Sequence, residues 1–313
     1  MANTKEISRR IRSIGNTKKI TKAMEMVSAA KMRKAIEAVL KTRTYANLSW
    51  ETILNLAKLA PDGEDRNPLL KARPEIKKVA LILITSNRSL CGGFNMTIIN
   101  KAKASILKHN YPTDLILIGT KGEILGRHNP VAAIFPKGDL SVNSKETNPI
   151  AKMIIADFLS GTYDKVLVAY TDFVSPAKQI PRVKQLLPIG IEAQDEFLGI
   201  VGASDQAPTS KEYIETKAKK HLEDDNFVYE YTFEPSPAEV LEQVLPKLIQ
   251  VQLYQALLES NAAEHSARMA AMHQANEAAA DMVSELVLYY NKARQAAITA
   301  EIAEISAGAN ALE

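Results

Sequence analysis

The C-terminal part of the chain, residues 236–313, carries a hydrophobic repeat of 3.5 residues. Counted from Val244 in alternating steps of four and three, fifteen of nineteen positions are apolar or tyrosine, and no glycine occurs before Gly308. A repeat held this long predicts a long helix in a left-handed coiled coil, and such a helix needs a packing partner. The predicted seam positions are Val244, Leu248, Val251, Gln255, Leu258, Ala262, His265, Met269, Met272, Asn276, Ala279, Val283, Leu286, Tyr290, Ala293, Ala297, Ala300, Glu304 and Ala307.

The start of this helix has its own sequence signals. Ser236 and Glu239 have the spacing of a capping box, with Pro237 at the first helical position. Pro246 is expected to kink the helix near its start. The polar seam residues Gln255, His265 and Asn276 are expected to set the register, and His265 is interpreted as a seam residue rather than a ligand.

The N-terminal segment predicts the partner helix. From Lys5 to about Leu59 there is no proline, and Gly15 is the only glycine; the breaker Pro61-Asp62-Gly63 follows. Two apolar runs have the i, i+4, i+7 spacing of a helix face: Ile7, Ile11 and Ile14, and then Ile20, Met24 and Val27. A folded middle region would let the chain return, so the two helices are expected to pair antiparallel.

Charge is distributed unevenly between the two ends. Residues 1–45 have a net charge of +9 and residues 236–313 a net charge of −6. These segments would attract each other if packed together, or both could be solvated helix faces. A basic arm that binds nucleic acid is a third interpretation, which the lack of aromatic residues before Tyr45 weakens.

The middle region has the pattern of an α/β domain. Helices are predicted at Phe94–His109 and Ile150–Leu159 between the strands, and 203–225 is interpreted as a polar surface insertion. Alternating strands and helices predict a small, largely parallel, Rossmann-like sheet, with the proline-containing strand at an edge. The predicted strands are Val79–Thr85, Leu115–Gly119, Val131–Phe135, Val166–Tyr170, Gln179–Ile189 and Val228–Phe233.

The predicted fold class is therefore α plus α/β: a long antiparallel two-helix coiled coil from the N- and C-terminal segments, with an inserted α/β domain. The expected boundaries are 1–60 for the first helix, 75–233 for the α/β domain and 236–313 for the last helix. The longest apolar run, Val79–Ile84, is too short to span a bilayer.

Two glycine-containing turns deserve a test as phosphate sites. Neither 86–93 nor Gly119-Thr120-Lys121-Gly122 matches a P-loop or dinucleotide-binding pattern, so both are interpreted as turns, with Cys91 a small buried hydrophobe. The five histidines have no ligand-like spacing. The sequence gives no positive indication of catalysis, and no cofactor or metal is expected.

Both ends of the chain resemble one known family. The segments 14–27, 30–34, 264–272 and 290–309 are similar to the N-terminal helix and C-terminal signature of F-type ATP synthase gamma subunits. The middle is similar more loosely: Asn87-Arg88-Ser89-Leu90-Cys91-Gly92 stands where the family usually has Asp-Arg-Gly-Leu-Cys-Gly.

The resemblance implies a rotor function. The coiled coil would stand inside a ring of three alpha and three beta subunits, with the middle domain at its foot near the epsilon subunit and the ring of c subunits. The chain would couple proton flow to ATP synthesis or hydrolysis without catalysing either, at the cytoplasmic side of a bacterial membrane, peripherally and without nucleic acid. A slim alanine-rich tip, 296–311, would turn inside the ring. The coupling contacts implied are Lys18, Lys22, Met24, Arg294, Gln295, Thr299 and Glu301.

Two other functions remain open on the residues alone. A structural or signalling coiled-coil protein with an inserted domain would share this architecture. An enzyme with its site in residues 75–200 would be the other.

Overall fold

The computed structural model describes residues 4–59, 67–138, 144–189 and 236–310. The predicted breaker at Pro61, the polar insertion 203–225 and the predicted strand Val228–Phe233 lie outside these residues. The described chain divides into two compact units, one formed by Met1–Ala29 with Arg268–Glu313 and the other by Ala30–Ala267.

Two long helices, predicted from both ends of the sequence, are confirmed. Helix α1 spans Thr4–Leu59, and the last helix, α4, spans Pro237–Asn310. One of the two hydrogen bonds of the predicted capping box is present, since the Glu239 amide donates to Ser236 Oγ at 3.3 Å; Glu239 Oε1 accepts from the Ser236 hydroxyl at 3.1 Å instead of from the Ser236 amide. Pro246 lies inside α4, and the kink expected there stays a prediction.

In the first unit, the two helices pack as an antiparallel coiled coil. From Met269 to Ala293 every predicted seam position of α4 is buried or half-buried, whereas from Asp281 to Ala293 all other positions are exposed. Ile7, Ile11 and Ile14 form the matching face of α1, as predicted. The 3.5-residue repeat therefore identified the interface of this unit.

The second apolar run of α1 does not continue the buried face of the first. Ile20 and Val27 are 60% and 55% exposed, while Met24 is half-buried. Six residues separate Ile14 from Ile20, and at about 100° per residue this step turns Ile20 well away from the seam. Steps of four and three continued from Ile14 pass through the exposed Lys18 and then reach Thr21, Glu25 and Ser28, which are half-buried or buried.

The second unit contains a five-stranded sheet of order β3-β2-β1-β4-β5. Four strands are mutually parallel, and β5 pairs antiparallel with β4 at the edge, where the proline-containing strand was predicted. The five predicted strands that the structure describes are confirmed. Their bounds are Val79–Ile84 (β1), Thr113–Ile118 (β2), Val131–Phe135 (β3), Lys165–Ser175 (β4) and Lys178–Leu187 (β5).

Helices cover both faces of this sheet. Helix α2, Phe94–His109, packs on the face that carries Leu81 and Leu83. Helix α3, Ser144–Leu159, shares the opposite face with α4, whose Leu245 and Leu253 are fully buried there. Both α2 and α3 were predicted, but α3 begins earlier and includes Pro149. Short 3-10 helices at Pro68–Leu70 and Thr120–Arg127 complete the described elements.

A buried carboxylate fixes the entry into β1. Asp164 accepts hydrogen bonds from the amides of Lys77 and Lys78 at 2.8 and 3.0 Å and from Arg73 at 2.9 Å. Desolvation raises the pKa of Asp164, but the three donors together lower it below its ordinary value. The amino edge of the sheet is thereby tied to the segment that precedes it.

Candidate functional site

The carboxyl edge of a parallel sheet is where α/β folds usually bind ligands, at the point where the strand order reverses. Here the order reverses between β1 and β4. The loop that leaves β1 is a tight turn, as predicted, with Leu90 and Gly92 at positive φ. Asn95 holds it from inside, accepting from the Ser86 amide at 3.0 Å and donating to Cys91 Sγ at 3.2 Å. Cys91 is buried, also as predicted.

The second glycine turn is explained by close packing. Gly119 has a φ of 93°, and a Cβ placed on it would lie 2.4 Å from the carbonyl oxygen of Thr85. The ends of β1 and β2 therefore meet at a point that only glycine fits.

Helix α4 occupies the carboxyl edge itself. Ala262 and Ala263 are fully buried against Cys91, Phe94 and Phe173. From Gln252 to Ser266 every residue of α4 except Tyr254 is buried. The α/β unit surrounds this stretch of the helix, so its burial extends well beyond the predicted seam, while α1 still packs against it through Ala35. Gln255 and His265 are buried inside this unit.

Polar contacts connect the same part of α4 to both sides of the edge. Lys137 Nζ, just after β3, lies 2.6 Å from Glu264 Oε2, and the two side chains are 2% and 9% exposed. Asn261 donates to the Gly138 carbonyl at 3.3 Å. On the other side, Ser266 donates to the Pro176 carbonyl at 2.8 Å. Sequence reasoning missed this set, since its members lie far apart in the chain.

The coupling residues implied for α1 lie in the first unit. Lys18 is exposed, Met24 is half-buried, and Lys22 Nζ lies 3.1 Å from Glu25 Oε1. Ile20, Met26 and Val27 on the same stretch of α1 are each more than half exposed, and Ile20 and Val27 share one side of the helix.

Glu25 is a seam residue that the sequence interpretation missed. Its Oε1 lies 3.4 Å from His273 Nδ1, and His273 Nε2 lies 3.4 Å from Glu277 Oε1. Hydrogen bonds from Lys22 lower the pKa of Glu25 below its ordinary value; partial burial opposes this shift, and His273 adds to it. A four-three count continued from Ile14 would have found Glu25.

The implied coupling residues of α4 all lie in its exposed end. Every residue from Arg294 to Ala307 is exposed. Thr299 Oγ1 donates to the Gln295 carbonyl at 2.9 Å, within the helix. The predicted seam positions Ala297, Ala300, Glu304 and Ala307 are therefore not buried. Because α1 begins at Thr4, the described part of this unit offers them no second helix.

The exposed end of α4 nevertheless has an apolar face. Ile298, Ile302 and Ile305 are 48%, 62% and 69% exposed and have i, i+4, i+7 spacing. At about 100° per residue, Arg294 and Glu301 lie on the same side of the helix as these isoleucines.

Among the residues that the structure describes, no group of three or more His, Cys, Asp or Glu side chains is arranged to hold a metal ion. No helix in the described ranges combines the length and apolar character needed to cross a membrane.

The fold defines a class: a two-helix coiled coil built from the chain ends, with an inserted α/β unit that its own last helix closes. A family model described as ATP synthase matches residues 3–312. The chain belongs to the ATP synthase gamma chain family. An ATP synthase gamma chain of Herpetosiphon aurantiacus is 39% identical over 100% of this chain and 99% of that protein, and one of Dehalococcoides mccartyi is 40% identical over the full length of both.

Solved structures share the fold. The match to a Tetrahymena thermophila mitochondrial ATP synthase structure of the central stalk and c-ring has a TM-score of 0.58 at 24% identity, over 82% of this chain and 99% of that one. A chain in a Euglena gracilis mitochondrial ATP synthase structure has a TM-score of 0.62 at 18% identity, over 99% of this chain and 94% of that one.

Proposed function

We propose that this chain is the central-stalk subunit of a proton-translocating ATP synthase and turns inside a ring of alpha and beta subunits. The observation that carries the proposal is the end of α4, where Ile298, Ile302 and Ile305 are exposed on one side of a helix that no described residue covers. Such an apolar stripe favours a partner in another molecule. Membership of the gamma chain family supports a partner within the ATP synthase complex.

The mechanism follows from a mismatch of symmetry. Three like catalytic interfaces surround a single chain that has no threefold symmetry, so each interface meets a different side of it. Rotation changes which conformation each catalytic interface prefers. The reason is that a side of the shaft shifts the conformational equilibrium of an interface only if it binds one conformation more strongly than the other. Coupling between proton flow and ATP chemistry then needs no catalytic residue in this chain.

Two surfaces of the first unit are proposed as the coupling contacts. On α1, Lys18 and Lys22 supply positive charge, Lys22 lies one i, i+4 step from the exposed Met26, and Met24 is half-buried nearby. Basic side chains at this place suit acidic elements of the ring.

On α4, the exposed polar residues flank the isoleucine stripe. Arg294 can form a bidentate pair with a carboxylate, and Glu301 offers the opposite charge on the same side of the helix. Gln295 and Thr299 lie one i, i+4 step apart at the margin of this side and complete the proposed contact.

The α/β unit is proposed as the foot, next to the epsilon subunit and the c-ring. The division proposed for the whole chain is 1–60, 75–233 and 236–313. The complex would hold the chain peripherally at the cytoplasmic side of a bacterial membrane. The filled carboxyl edge supports a non-catalytic foot, because Ala262 and Ala263 occupy the place where a nucleotide would bind.

Co-purification tests the assignment. A tagged chain expressed in its own host should bring down alpha and beta subunits from membranes, and the rebuilt complex should hydrolyse ATP. Isolation as a free homodimer without ATPase subunits would favour a structural or signalling coiled coil. Tight stoichiometric nucleotide binding by the isolated chain would favour an enzyme.

A further inference from the structure

The stretch Asn261–Ser266 is the last part of α4 within the second unit, which ends at Ala267. It is held from two sides. Lys137 and Gly138 contact it from the segment after β3, one edge of the sheet, and Pro176 contacts it from the hairpin that leads to β5, the other edge.

The apolar contacts of Ala262 and Ala263 depend less on the angle of the helix than its polar contacts do. Ala262 and Ala263 present smooth, small surfaces to Phe94 and Phe173, and dispersion contacts of this kind have little directionality. Hydrogen bonds and ion pairs depend on angle as well as distance. The polar contacts on the two sides therefore oppose any turn of α4 about its own axis.

The buried ion pair is the centre of this arrangement. Lys137 Nζ lies 2.6 Å from Glu264 Oε2 and 5.4 Å from the centre of the Phe94 ring, and Asn87 Nδ2 donates to the Lys137 carbonyl at 2.7 Å. A buried ion pair adds little net stability, because desolvation of the two charges offsets their attraction. The same ion pair can nevertheless favour one geometry strongly. The pair thus suits a positional role better than a stabilising one.

We propose that Lys137 and Glu264 form a rotational lock that transmits torque between the α/β unit and α4. The inference rests on the proposed function, since only a rotating chain loads this contact. Lys137 and Glu264 are positioning residues: they act through the angle of α4, not on a reacting group. The Asn261 and Ser266 hydrogen bonds oppose the same rotation of α4 about its axis.

The test measures torsional stiffness in the rebuilt complex with alpha and beta subunits. A bead is attached to the α/β unit through Lys108→Cys at the exposed end of α2, and its angular fluctuations are recorded while ATP hydrolysis is stalled. The pair is replaced by Lys137→Met with Glu264→Leu, which avoids an unpaired buried charge. We expect the angular variance to rise about twofold, because the angle-dependent contact is lost while packing remains.

The matched control is Lys78→Met. Lys78 Nζ lies 2.7 Å from Asp114 Oδ2 in the same unit, but at the amino edge of the sheet, remote from Asn261–Ser266. We expect an unchanged variance. Thermal unfolding of the isolated full chains separates a loss of stiffness from a loss of folding. Exchanged charges, Lys137→Glu with Glu264→Lys, should restore part of the stiffness.

If the apolar pair prevents assembly, Glu264→Gln removes the charge at nearly the same size, and the variance should still rise. An angular variance equal to that of the unmodified chain in the assembled variant would overturn the lock. Failure of the unmodified chain to rotate at all would overturn the proposed function, and the lock with it.

Discussion

Glu25 of α1 faces His273 of α4 in the first unit, with 3.4 Å between Glu25 Oε1 and His273 Nδ1. Lys22 lies on the other side of the same carboxylate, at 3.1 Å. A coiled-coil seam usually has apolar residues at such positions. A charged residue in the seam costs apolar packing but helps to specify the register of the two helices.

Replacement of Glu25 by Gln tests the contribution of this carboxylate. The pKa of Glu25 is lowered in the folded chain, first by the Lys22 hydrogen bonds. The contribution of the Glu25 carboxylate to the free energy of unfolding is therefore fully present above the ordinary glutamate pKa of about 4.3. It is lost as the pH falls through the lowered pKa of the folded chain. We expect Glu25→Gln to lower the melting temperature at neutral pH, with the difference vanishing in acid, as measured by circular dichroism across pH.

The control for Glu25→Gln is Glu6→Gln. Glu6 pairs with Arg10 at 2.8 Å, but both side chains are more than half exposed, and such pairs contribute little. Equal effects of the two substitutions at neutral pH would contradict a special role for the seam carboxylate.

Asn276 offers a substitution that should stabilise the first unit. It is half-buried in the seam, and its Oδ1 is buried with no hydrogen-bond partner among the described residues. A leucine would remove this unpaired oxygen and add apolar contact, so we expect Asn276→Leu to raise the free energy of unfolding by about 1 kcal/mol. Chemical denaturation measures the change, and Gln274→Leu, on the exposed side, should give no comparable gain.

The first unit shows how far a sequence pattern can be extended. The α4 seam from Met269 to Ala293 could be predicted because its four-three repeat is unbroken and apolar in this range. On α1 the buried positions become polar after Ile14, so the apolar residues Ile20 and Val27 do not mark the seam. The position of a residue on the helix face toward the partner helix, not its hydrophobicity, determines whether it is buried in the seam.

The second unit shows what the sequence could not provide. The strands could be predicted from the sequence because buried parallel strands are continuous apolar runs. The burial of the polar residues of α4 between Gln252 and Ser266 could not be predicted, because it depends on the domain that surrounds them. Lys137 and Glu264 are separated by 127 residues, and no local signal connects them.

Gly119 should be the least replaceable glycine of the carboxyl edge. In Gly119→Ala the positive φ is strained, and the new Cβ meets the Thr85 carbonyl oxygen. We expect a loss of about 2 to 3 kcal/mol in the free energy of unfolding, measured by urea titration.

Gly15→Ala is the opposite case. Gly15 lies within α1, and a Cβ there meets nothing within 4 Å. Alanine should therefore increase stability by about 0.5 to 1 kcal/mol through its higher helix propensity. A destabilising Gly15→Ala together with a neutral Gly119→Ala would reverse our account of both glycines.

Removal of the chain after Ala300 separates coupling from folding. The deletion takes away Ile302 and Ile305, which are 62% and 69% exposed. We expect the melting temperature of the isolated chain to stay nearly unchanged, while ATP-driven proton pumping in vesicles falls relative to ATP hydrolysis. The physical reason is that these isoleucines lose only an intermolecular partner.

Point substitutions sharpen the same test in the full-length chain. Ile302→Ser with Ile305→Ser removes the apolar stripe but keeps the helix length, so pumping per ATP hydrolysed should fall in the same direction, though less. Ile302→Leu keeps the apolar character and should behave like the unmodified chain. Normal pumping in the deletion variant, accompanied by a lower melting temperature, would mean that the end of α4 serves the fold of this chain and not the ring around it.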